Sequence, residues 1–441
     1  MKKERKWILL PAALLLCGGA NAGVLPAFSG RFLFIALCCL GANLLPLLVS
    51  PSGNGIRMGI LCHGNSCLKL FALGTAVSVP LQMLFGIICL PTHPWQWLVS
   101  VLICTCVLAL IFWNGITCVY CTSVQLGIKL RLIGALCGMI PIVNLIALRH
   151  ILKTTSAELE FETAKIQLDR SRQADQICKT KYPIVMVHGV FFRDSRFFNY
   201  WGRIPDALIK NGAAIFYGNQ PSAASVADSA QVLTQRIQEI CRQTGSEKVN
   251  LIAHSKGGLD CRYAIAFCGA APYVASLTTV NTPHRGCKFA DYLLGMIPQA
   301  AQQKVADTYN QTLRKFGERD ADFMAAVTDL TSQRCTALDR TMPLPEGIFC
   351  RSIGSSLSRA SGGKFPLNFT YHLVRHFDGA NDGLVGAESF QWGTDYTLLH
   401  APGPSGISHG DMIDLNRCNL PGFDIREFYV QQVSDLRQRG L

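Results

Sequence analysis

The stretch Val249-Asn-Leu-Ile-Ala-His-Ser-Lys-Gly-Gly-Leu-Asp260 runs from an apolar segment through a tight turn into a segment of helical character. This order is typical of a nucleophile elbow, in which a strand carries a serine to a sharp, strained turn and a helix follows. Ala253 and Gly257 leave room for the two backbones to pass closely. Ala253 stands where the G-x-S-x-G pattern has glycine, but the same turn still fits. We therefore expect Ser255 to be a nucleophile. The alternative is a strand-to-helix connection without chemistry, so the interpretation needs partners elsewhere in the chain.

The distribution of charge divides the 441 residues into two parts. The first 150 residues hold ten Lys or Arg and a single acidic residue, Glu4, so they carry nine of the twelve net positive charges. The remaining residues are nearly balanced, with 31 basic and 28 acidic side chains, which argues against a nucleic-acid-binding face. Basic residues around apolar segments instead indicate an anionic membrane.

The first 150 residues are predicted to be an all-α transmembrane region with four to five helices. A helix that crosses a hydrocarbon core of roughly 30 Å needs about 20 apolar residues. The apolar segments are 7–23, 32–49, 70–90, 95–121 and 132–148, of which the first and last are the shortest. Segment 7–23, which follows Lys2, Lys3, Arg5 and Lys6, also resembles a cleaved signal peptide.

The positive-inside rule gives two possible orientations. With five spans, the basic cluster at Lys2 to Lys6 and the loops with Arg57 and Lys129 lie in the cytoplasm, and the chain after about residue 150 lies outside. If segment 132–148 lies along the interface instead, the C-terminal part is cytoplasmic. We expect a multi-pass membrane protein whose C-terminal domain is extracytoplasmic, with the cytoplasmic side as the open alternative.

Residues 151–177 are charged and helical in pattern, which predicts a solvated linker helix before a domain at 178–441. Eight of the nineteen cysteines lie in that domain, widely scattered and without a C-x-x-C pair. This spacing argues against a zinc site and leaves open whether the thiols pair.

The run 183–187 is predicted to be a buried strand, followed by the loop His188-Gly189-Val190. Acyl transfer needs two backbone N–H donors that point at the developing oxyanion. The loop after an early strand and the residue after the nucleophile provide them, so we expect Val190 and Lys256 to form an oxyanion hole. Further strands at 213–217 and 274–280 alternate with helices, which predicts a mostly parallel sheet covered on both faces.

Three motifs together carry a resemblance to a known family. Tyr-Pro-Ile-Val-x-Val-His-Gly, Ala-His-Ser-Lys-Gly-Gly and Asn-Thr-Pro-His-Arg-Gly follow one another between residues 182 and 286. In this order and spacing they resemble the bacterial triacylglycerol lipases of the α/β-hydrolase superfamily. The likeness resumes around Asn381 and His409, whereas the membrane part has no counterpart in the secreted lipases.

The resemblance implies a Ser-Asp-His triad in that chain order. Phe377-Asp-Gly-Ala-Asn-Asp-Gly-Leu-Val385 looks like the acid loop of the family, which places Asp382 as the carboxylate and leaves Asp378 as the competitor. Gly406-Ile-Ser-His-Gly-Asp-Met-Ile413 resembles the histidine loop, so His409 is the expected base. His254 is the elbow residue before the nucleophile, and its side chain is expected to point away from the site.

Residues 287–345 lack strand alternation and are predicted to be helical. In the lipases the corresponding insertion is a cap over the site, and the alternative is an ordinary helical excursion that covers the sheet. Secreted relatives also carry a structural calcium near the histidine loop, where Asp411 is the candidate ligand. No second carboxylate stands at the expected place upstream, so we expect no cofactor and keep calcium as the alternative.

These features predict a membrane-anchored serine hydrolase that cleaves carboxylic esters of lipids, acylglycerols or phospholipids, through an acyl-enzyme. Two alternatives stay open. The same triad would serve an acyltransferase, in which an alcohol replaces water, and the fold would also serve a catalytically silent binding or sensor module.

Overall fold

The computed structural model describes residues 6–26, 29–49, 55–138, 140, 143–190, 199–315 and 322–441. The chain divides into two compact units, Met1–Leu168 and Asp169–Leu441. All nineteen cysteines lie in the described ranges, and each is a free thiol.

The regular elements in the described part of the first unit are all helices. Its helices are α1 (Lys6–Ala20), α2 (Arg31–Leu44), α3 (Gly55–Cys89), α4 (Pro94–Thr122), α5 (Gly127–Cys137) and α6 (Val143–Ser171), whose last turn extends into the second unit. Three of the helical segments are long and apolar enough to cross a membrane: Arg31–Val49, Gly55–Cys89 and Pro94–Thr122. The segment Trp7–Ala20 is apolar but shorter.

The predicted apolar segment 132–148 differs from the structure. It is not one helix, because α5 ends at Cys137 and α6 begins at Val143. A proline at 141 lies between them in the sequence, and proline cannot continue the hydrogen bonding of a helix. Helix α6 then continues through most of the charged stretch predicted as a separate linker. The basic residues Lys2, Lys3 and Arg5 lie outside the described residues, so the orientation stays a prediction.

Side-chain hydrogen bonds join the apolar helices of this unit. Asn21, directly after α1, donates from Nδ2 to Ser78 Oγ of α3 at 2.8 Å. Gln82 of α3 donates to Asn21 Oδ1 at 3.2 Å and accepts from Ser100 Oγ of α4 at 3.0 Å. Such bonds replace water as partners of buried polar groups and hold the helices together.

The second unit is built on a six-stranded, entirely parallel sheet of order β2-β1-β3-β4-β5-β6. The strands are β1 (Ile184–Val187), β2 (Ile215–Tyr217), β3 (Val249–His254), β4 (Val274–Val280), β5 (Phe349–Ser355) and β6 (Asp395–Leu399). Every residue of β1, β3 and β4 is buried, as a parallel sheet with both faces covered requires.

Nine helices complete the described part of this unit. They are α7 (Ile204–Lys210), α8 (Val226–Thr244), α9 (Lys256–Phe267), α10 (Lys288–Met296), α11 (Gln299–Lys315), α12 (Phe323–Thr328), α13 (Ser332–Thr341), α14 (Leu367–Asp378) and α15 (Ile425–Gln438). Side chains alternate along the strands between two apolar cores. Ile184, Met186 and Ile252 face the core that contains α7 and α15, whereas Val185 and Leu251 face the core that contains α8 and α9.

The predicted fold class is confirmed: helices flank a parallel sheet, and an all-helical region precedes it. Helices α10 to α13 occupy the stretch between β4 and β5 where the sequence predicted a helical insertion at 287–345. The carboxyl ends of β1, β3 and β4 meet at one edge of the sheet, and ligands of open parallel sheets bind at this edge.

Candidate active site

The turn after β3 holds Ser255 in a strained conformation. Its φ of 56° and ψ of −132° lie in a region that residues with a Cβ rarely adopt. The Ser255 N–H donates to the carbonyl oxygen of Val280 at 2.9 Å, so β4 supports the turn. A Cβ at Gly257 would collide with the carbonyl oxygen of His188, which explains the small residue there. The turn therefore has the backbone geometry that the sequence predicted.

His409 and Asp382 form a buried pair. His409 Nδ1 lies 2.6 Å from Asp382 Oδ2, and the His409 N–H donates to the Asp382 carbonyl oxygen at 2.9 Å. Three further donors reach the carboxylate: Leu384 N at 2.9 Å, Val385 N at 2.8 Å and Asn281 Nδ2 at 2.7 Å. This geometry places a proton between His409 Nδ1 and the carboxylate and leaves Nε2 as the acceptor nitrogen of the imidazole.

The competing carboxylate, Asp378, lies elsewhere. It forms the C-terminal end of α14 and pairs with Lys288 Nζ at 3.8 Å, at the start of α10. Burial raises the pKa of Asp378, and the Lys288 ammonium opposes that shift. The structure thus joins His409 to Asp382 and not to Asp378.

Two observations relate Ser255 to the His409–Asp382 pair: the position of the His254 ring and a shared cavity. The ring centroids of His254 and His409 are 4.5 Å apart, and His254 directly precedes Ser255. The prediction that the His254 side chain points away from the site is therefore wrong, because its ring packs against the ring of His409. Ser255 and Val385, which donates its N–H to Asp382, line the same cavity.

The two predicted oxyanion donors are close to the nucleophile. Val190 lines the cavity together with Ser255. Lys256 is the first residue of α9, and the first N–H groups of a helix have no acceptor within the helix. The Lys256 side chain is bound elsewhere, since its buried Nζ lies 2.7 Å from Asp260 Oδ1 and 3.0 Å from Ser229 Oγ. Burial raises the pKa of Asp260 to about 7, although the Lys256 ammonium acts in the opposite direction.

The cavity beside Ser255 has a volume of about 310 Å³ and an apolar wall. Ser255 and Gln302 are its polar side chains, and the rest of the wall is aliphatic, aromatic or sulfur-containing. Helices α10 and α12, which belong to the stretch predicted as a cap or a helical excursion, supply much of the wall. Cys287 contributes a thiol that is 4% exposed and that donates to the Leu384 carbonyl oxygen at 3.8 Å. Burial holds the pKa of this thiol well above its ordinary value.

The residues near the histidine loop do not fit a calcium ion. The Asp411 carboxylate accepts from the backbone and hydroxyl of its neighbour Ser408 at 2.9 and 2.7 Å. The nearby Asp414 is occupied by Arg203, whose Nε and Nη2 donate to its two oxygens at 2.7 and 2.8 Å. Across the described ranges, no three His, Cys, Asp or Glu side chains form a group that would hold a metal. Both carboxylates are thus engaged by groups of the protein itself, Asp411 by Ser408 and Asp414 by the guanidinium of Arg203.

Two side chains that hold the site together were not predicted to have this role. Asn281 belongs to the Asn-Thr-Pro-His-Arg-Gly motif, and the structure shows its amide between Asp382 and Ser355, to whose Oγ it donates at 2.7 Å. Tyr200 contacts the loop after β1 through its hydroxyl. The sequence signal that could have identified Asn281 is a polar residue at the end of a buried strand. No sequence pattern connects Tyr200 to its partners Gly189 and His254, which are 11 and 54 positions away.

A parallel sheet with a strained serine after β3 and an Asp-His pair on later loops defines an α/β-hydrolase. Residues 183–327 match the family model described as palmitoyl protein thioesterase. Triacylglycerol lipase 2 of Saccharomyces cerevisiae is 36% identical over 259 residues, which are 55% of this chain and 74% of that protein. The chain belongs to the triacylglycerol lipase family.

Two further similarities have partial coverage. A triacylglycerol lipase of Pseudarthrobacter phenanthrenivorans is 31% identical over 182 residues, which are 38% of this chain and 56% of that protein. The chain thus spans little more than half the length of that relative. The crystal structure of the Bacillus licheniformis lipase BlEst2 in mature form superposes with a TM-score of 0.41, at 24% identity over 53% of this chain and 87% of that chain.

Proposed function

We propose that this protein is a membrane-associated serine hydrolase that cleaves carboxylic esters of lipids, with Ser255, His409 and Asp382 as its catalytic triad. The observation that carries the proposal is the apolar cavity whose wall contains Ser255, next to the paired His409 and Asp382. A polar or charged substrate would find few partners on this wall. An acyl chain, by contrast, gains about 0.8 kcal/mol for each methylene that it buries there.

The mechanism assigns one role to each member of the triad. His409 Nε2 takes the proton of the Ser255 hydroxyl as that oxygen attacks the ester carbonyl, and it returns the proton to the leaving alcohol. Asp382 keeps the imidazole in the required tautomer and stabilises the imidazolium. Water then attacks the acyl-enzyme with His409 again as the base, which releases the acid and restores Ser255.

Stabilisation of the tetrahedral intermediate falls to backbone groups. The N–H groups of Val190 and Lys256 are the proposed donors to the oxyanion, and each such donor is worth about 10² to 10³ in rate. The turn at Ser255 fixes where the oxyanion forms, since the donor at Lys256 follows directly in the chain. The buried Lys256–Asp260 pair holds the first turn of α9 and thereby this donor.

Acyl thioesters form a second candidate substrate class. The palmitoyl protein thioesterase match spans 183–327, and this range includes β1, the turn at Ser255, and α10 and α12 of the cavity wall. The apolar cavity accepts the same acyl chain from either substrate. A thiolate leaves without a proton, so a thioesterase depends less on His409 as a general acid.

The test is hydrolysis by the full chain in detergent micelles, with p-nitrophenyl octanoate and octanoyl thiocholine as substrates. We expect Ser255→Ala to lower kcat by on the order of 10⁴ or more, and Ser246→Ala, on the partly exposed loop before β3, to leave it unchanged. A fluorophosphonate should label the wild type and Ser246→Ala but not Ser255→Ala. Undiminished turnover by Ser255→Ala contradicts the proposed nucleophile. The ratio of the two kcat/KM values decides between ester and thioester.

A second variant tests whether the cavity holds the acyl chain. Ala290 lines the cavity from α10, so Ala290→Phe should fill it and lower kcat/KM for the octanoyl ester by about tenfold, while the acetyl ester is cleaved as before. Ala301→Phe on the exposed part of α11 is the matched control. Equal losses for both esters would place the acyl chain elsewhere.

A further inference from the structure

The side chain of Tyr200 joins two elements of the candidate active site. Tyr200 is 3% exposed and lies just before α7, far in sequence from the triad. Its hydroxyl oxygen is 3.0 Å from the backbone nitrogen of Gly189 and 2.8 Å from His254 Nδ1. Gly189 directly precedes the proposed oxyanion donor Val190, and His254 directly precedes Ser255.

The chemistry of the groups determines the direction of the first of these hydrogen bonds. A backbone N–H can only donate, so the Tyr200 oxygen accepts from Gly189. The same oxygen forms a second hydrogen bond with His254 Nδ1, in which the tautomer of the imidazole decides which group donates. Burial lowers the pKa of His254 well below its ordinary value, and the neighbouring His409 lowers it further, which favours the neutral form.

The position of Gly189 shows how closely these groups approach one another. A Cβ on Gly189 would lie 2.7 Å from the Cβ of Ser255 and 2.9 Å from the Tyr200 oxygen. No side chain fits between the nucleophile, the loop after β1 and the phenol. A shift of this loop by a few tenths of an ångström would move the Val190 N–H relative to the Ser255 oxygen.

We propose that Tyr200 is a positioning residue, whose hydroxyl holds the Gly189-Val190 backbone and the His254 ring in the arrangement that the oxyanion hole needs. The inference rests on the proposed function. Tyr200 acts through the Val190 donor and through the ring of His254, which packs against the general base. Its loss should therefore weaken the binding of the transition state more than the binding of the substrate.

The test compares Tyr200→Phe with Tyr396→Phe in the full chain in detergent micelles. Both variants remove a phenolic oxygen that forms a hydrogen bond within the protein. Tyr396 lies on the edge strand β6, and its hydroxyl donates to the Ala387 carbonyl oxygen. For p-nitrophenyl octanoate we expect Tyr200→Phe to lower kcat by about 10- to 100-fold with KM changed less than about threefold. Tyr396→Phe should stay within about twofold of the wild type.

A transition-state analogue separates positioning from general damage. An octyl trifluoromethyl ketone adds to the serine and forms an oxyanion, so its Ki should rise in Tyr200→Phe by the same factor as kcat/KM falls. A fall in kcat without a change in Ki, or a rise in KM alone, would overturn the proposal. Equal kinetics for Tyr200→Phe and Tyr396→Phe would overturn it as well.

A second pair of variants covers the case in which Tyr200→Phe fails to fold. His254→Asn keeps an acceptor near the position of Nδ1, whereas His254→Leu removes it. We expect the Asn variant to bind the ketone at least about fivefold more tightly than the Leu variant. Equal or reversed affinities would contradict the role of the Tyr200 hydroxyl. Failure of the proposed function is recognised separately, because the wild type would then neither turn over ester nor react with a fluorophosphonate.

Discussion

The backbone of Ser255 carries a conformational cost that the other candidate catalytic residues do not share. Positive-φ conformations of this kind cost a residue with a Cβ roughly 1–3 kcal/mol, and glycine avoids most of the cost. We expect Ser255→Gly and Ser255→Ala to be equally inactive but Ser255→Gly to unfold at the higher temperature. A thermal unfolding midpoint by intrinsic fluorescence compares them. A midpoint for Ser255→Gly below that of Ser255→Ala would contradict the strained turn.

A buried histidine makes stability depend on pH. Burial lowers the pKa of His284 well below its ordinary value, and Arg262, which donates to its Nδ1 at 3.1 Å, lowers it further. The unfolded chain takes up this proton below about pH 6.5 and the native chain does not, so this contribution is present above pH 6.5 and lost as pH falls. The loss approaches about 1.4 kcal/mol per pH unit.

Replacement of that histidine tests the dependence. Between pH 6.5 and pH 4.5 the free energy of unfolding should fall less steeply with pH in His284→Gln than in the wild type. The two slopes should differ by about 1.4 kcal/mol per pH unit. The exposed His400→Gln is the matched control and should follow the wild-type curve. Parallel curves for the wild type and His284→Gln would show that this residue is protonated in the native state as well.

At this scale the sequence predicts the candidate residues that belong to local motifs. Ser255, Asp382 and His409 each lie on a loop whose neighbours form a recognisable pattern, and the structure brings the last two within 2.6 Å. The contacts of Tyr200 and Arg203 depend on how distant segments meet, and no local pattern encodes them. The predicted direction of the His254 side chain is wrong for the same reason. The histidine loop, 155 positions later, determines what the His254 ring contacts.

Among the elements, the start of α7 is joined to the histidine loop by an ion pair. Asp414 is 1% exposed in its side chain and lies five residues after His409, and both of its oxygens accept from Arg203. Removal of one partner from such a pair leaves a buried charge and costs about 3 kcal/mol. We expect Arg203→Ala to lower the unfolding midpoint by several degrees and to lower kcat, because the loop that carries His409 loses its partner.

The same contact predicts indifference to calcium. Excess EDTA should change neither the midpoint nor the activity of the wild type, and added CaCl₂ should not restore Arg203→Ala. Arg236→Ala, which removes a more exposed pair with Glu239 on α8, is the control and should cost no more than about 1 kcal/mol. A loss of activity in EDTA, reversed by calcium, would show that a metal site exists in spite of the arginine.

The elements differ in how well the sequence predicts them. Strands β1 to β4 appear as apolar runs with clear turn residues, and the structure has all four. Strands β5 and β6 were not predicted individually. Arg351 and Gly354 interrupt the apolar pattern of β5, and β6 is an edge strand that is only partly buried. Their places in the sheet are determined by pairing, of β5 with β4 and of β6 with β5, which is a tertiary effect.

At the scale of the whole molecule, an arginine determines where an independent second unit should begin. Arg172 donates to both oxygens of Glu427 on α15 at 2.6 Å and to Asn211 Oδ1 at 2.8 Å. It also pairs with Asp169 at 2.9 Å. A fragment that begins at Ile177 lacks this side chain and leaves the Glu427 carboxylate without it.

We therefore expect residues 169–441 to fold with a higher unfolding midpoint than residues 177–441, by the equivalent of about 2 kcal/mol. Arg172→Ala in the longer fragment should reproduce most of the difference, whereas Arg170→Ala, in the last turn of α6, serves as the control. Thermal unfolding of the purified fragments measures it. Equal midpoints would show that residues 169–176 do not contribute to the stability of the second unit.

The thiol of Cys287 has a consequence for covalent inhibitors. The cavity presents two nucleophilic atoms to an incoming electrophile, the oxygen of Ser255 and the sulfur of Cys287. Because burial keeps the sulfur protonated at neutral pH, reagents that require a thiolate should pass it over. Phosphonates phosphylate and carbamates acylate an activated oxygen, so within this cavity they should react only with the oxygen of Ser255. The pocket is thus suited to selective probes of one chemical type, and a thiol elsewhere on the surface would be the main source of background labelling.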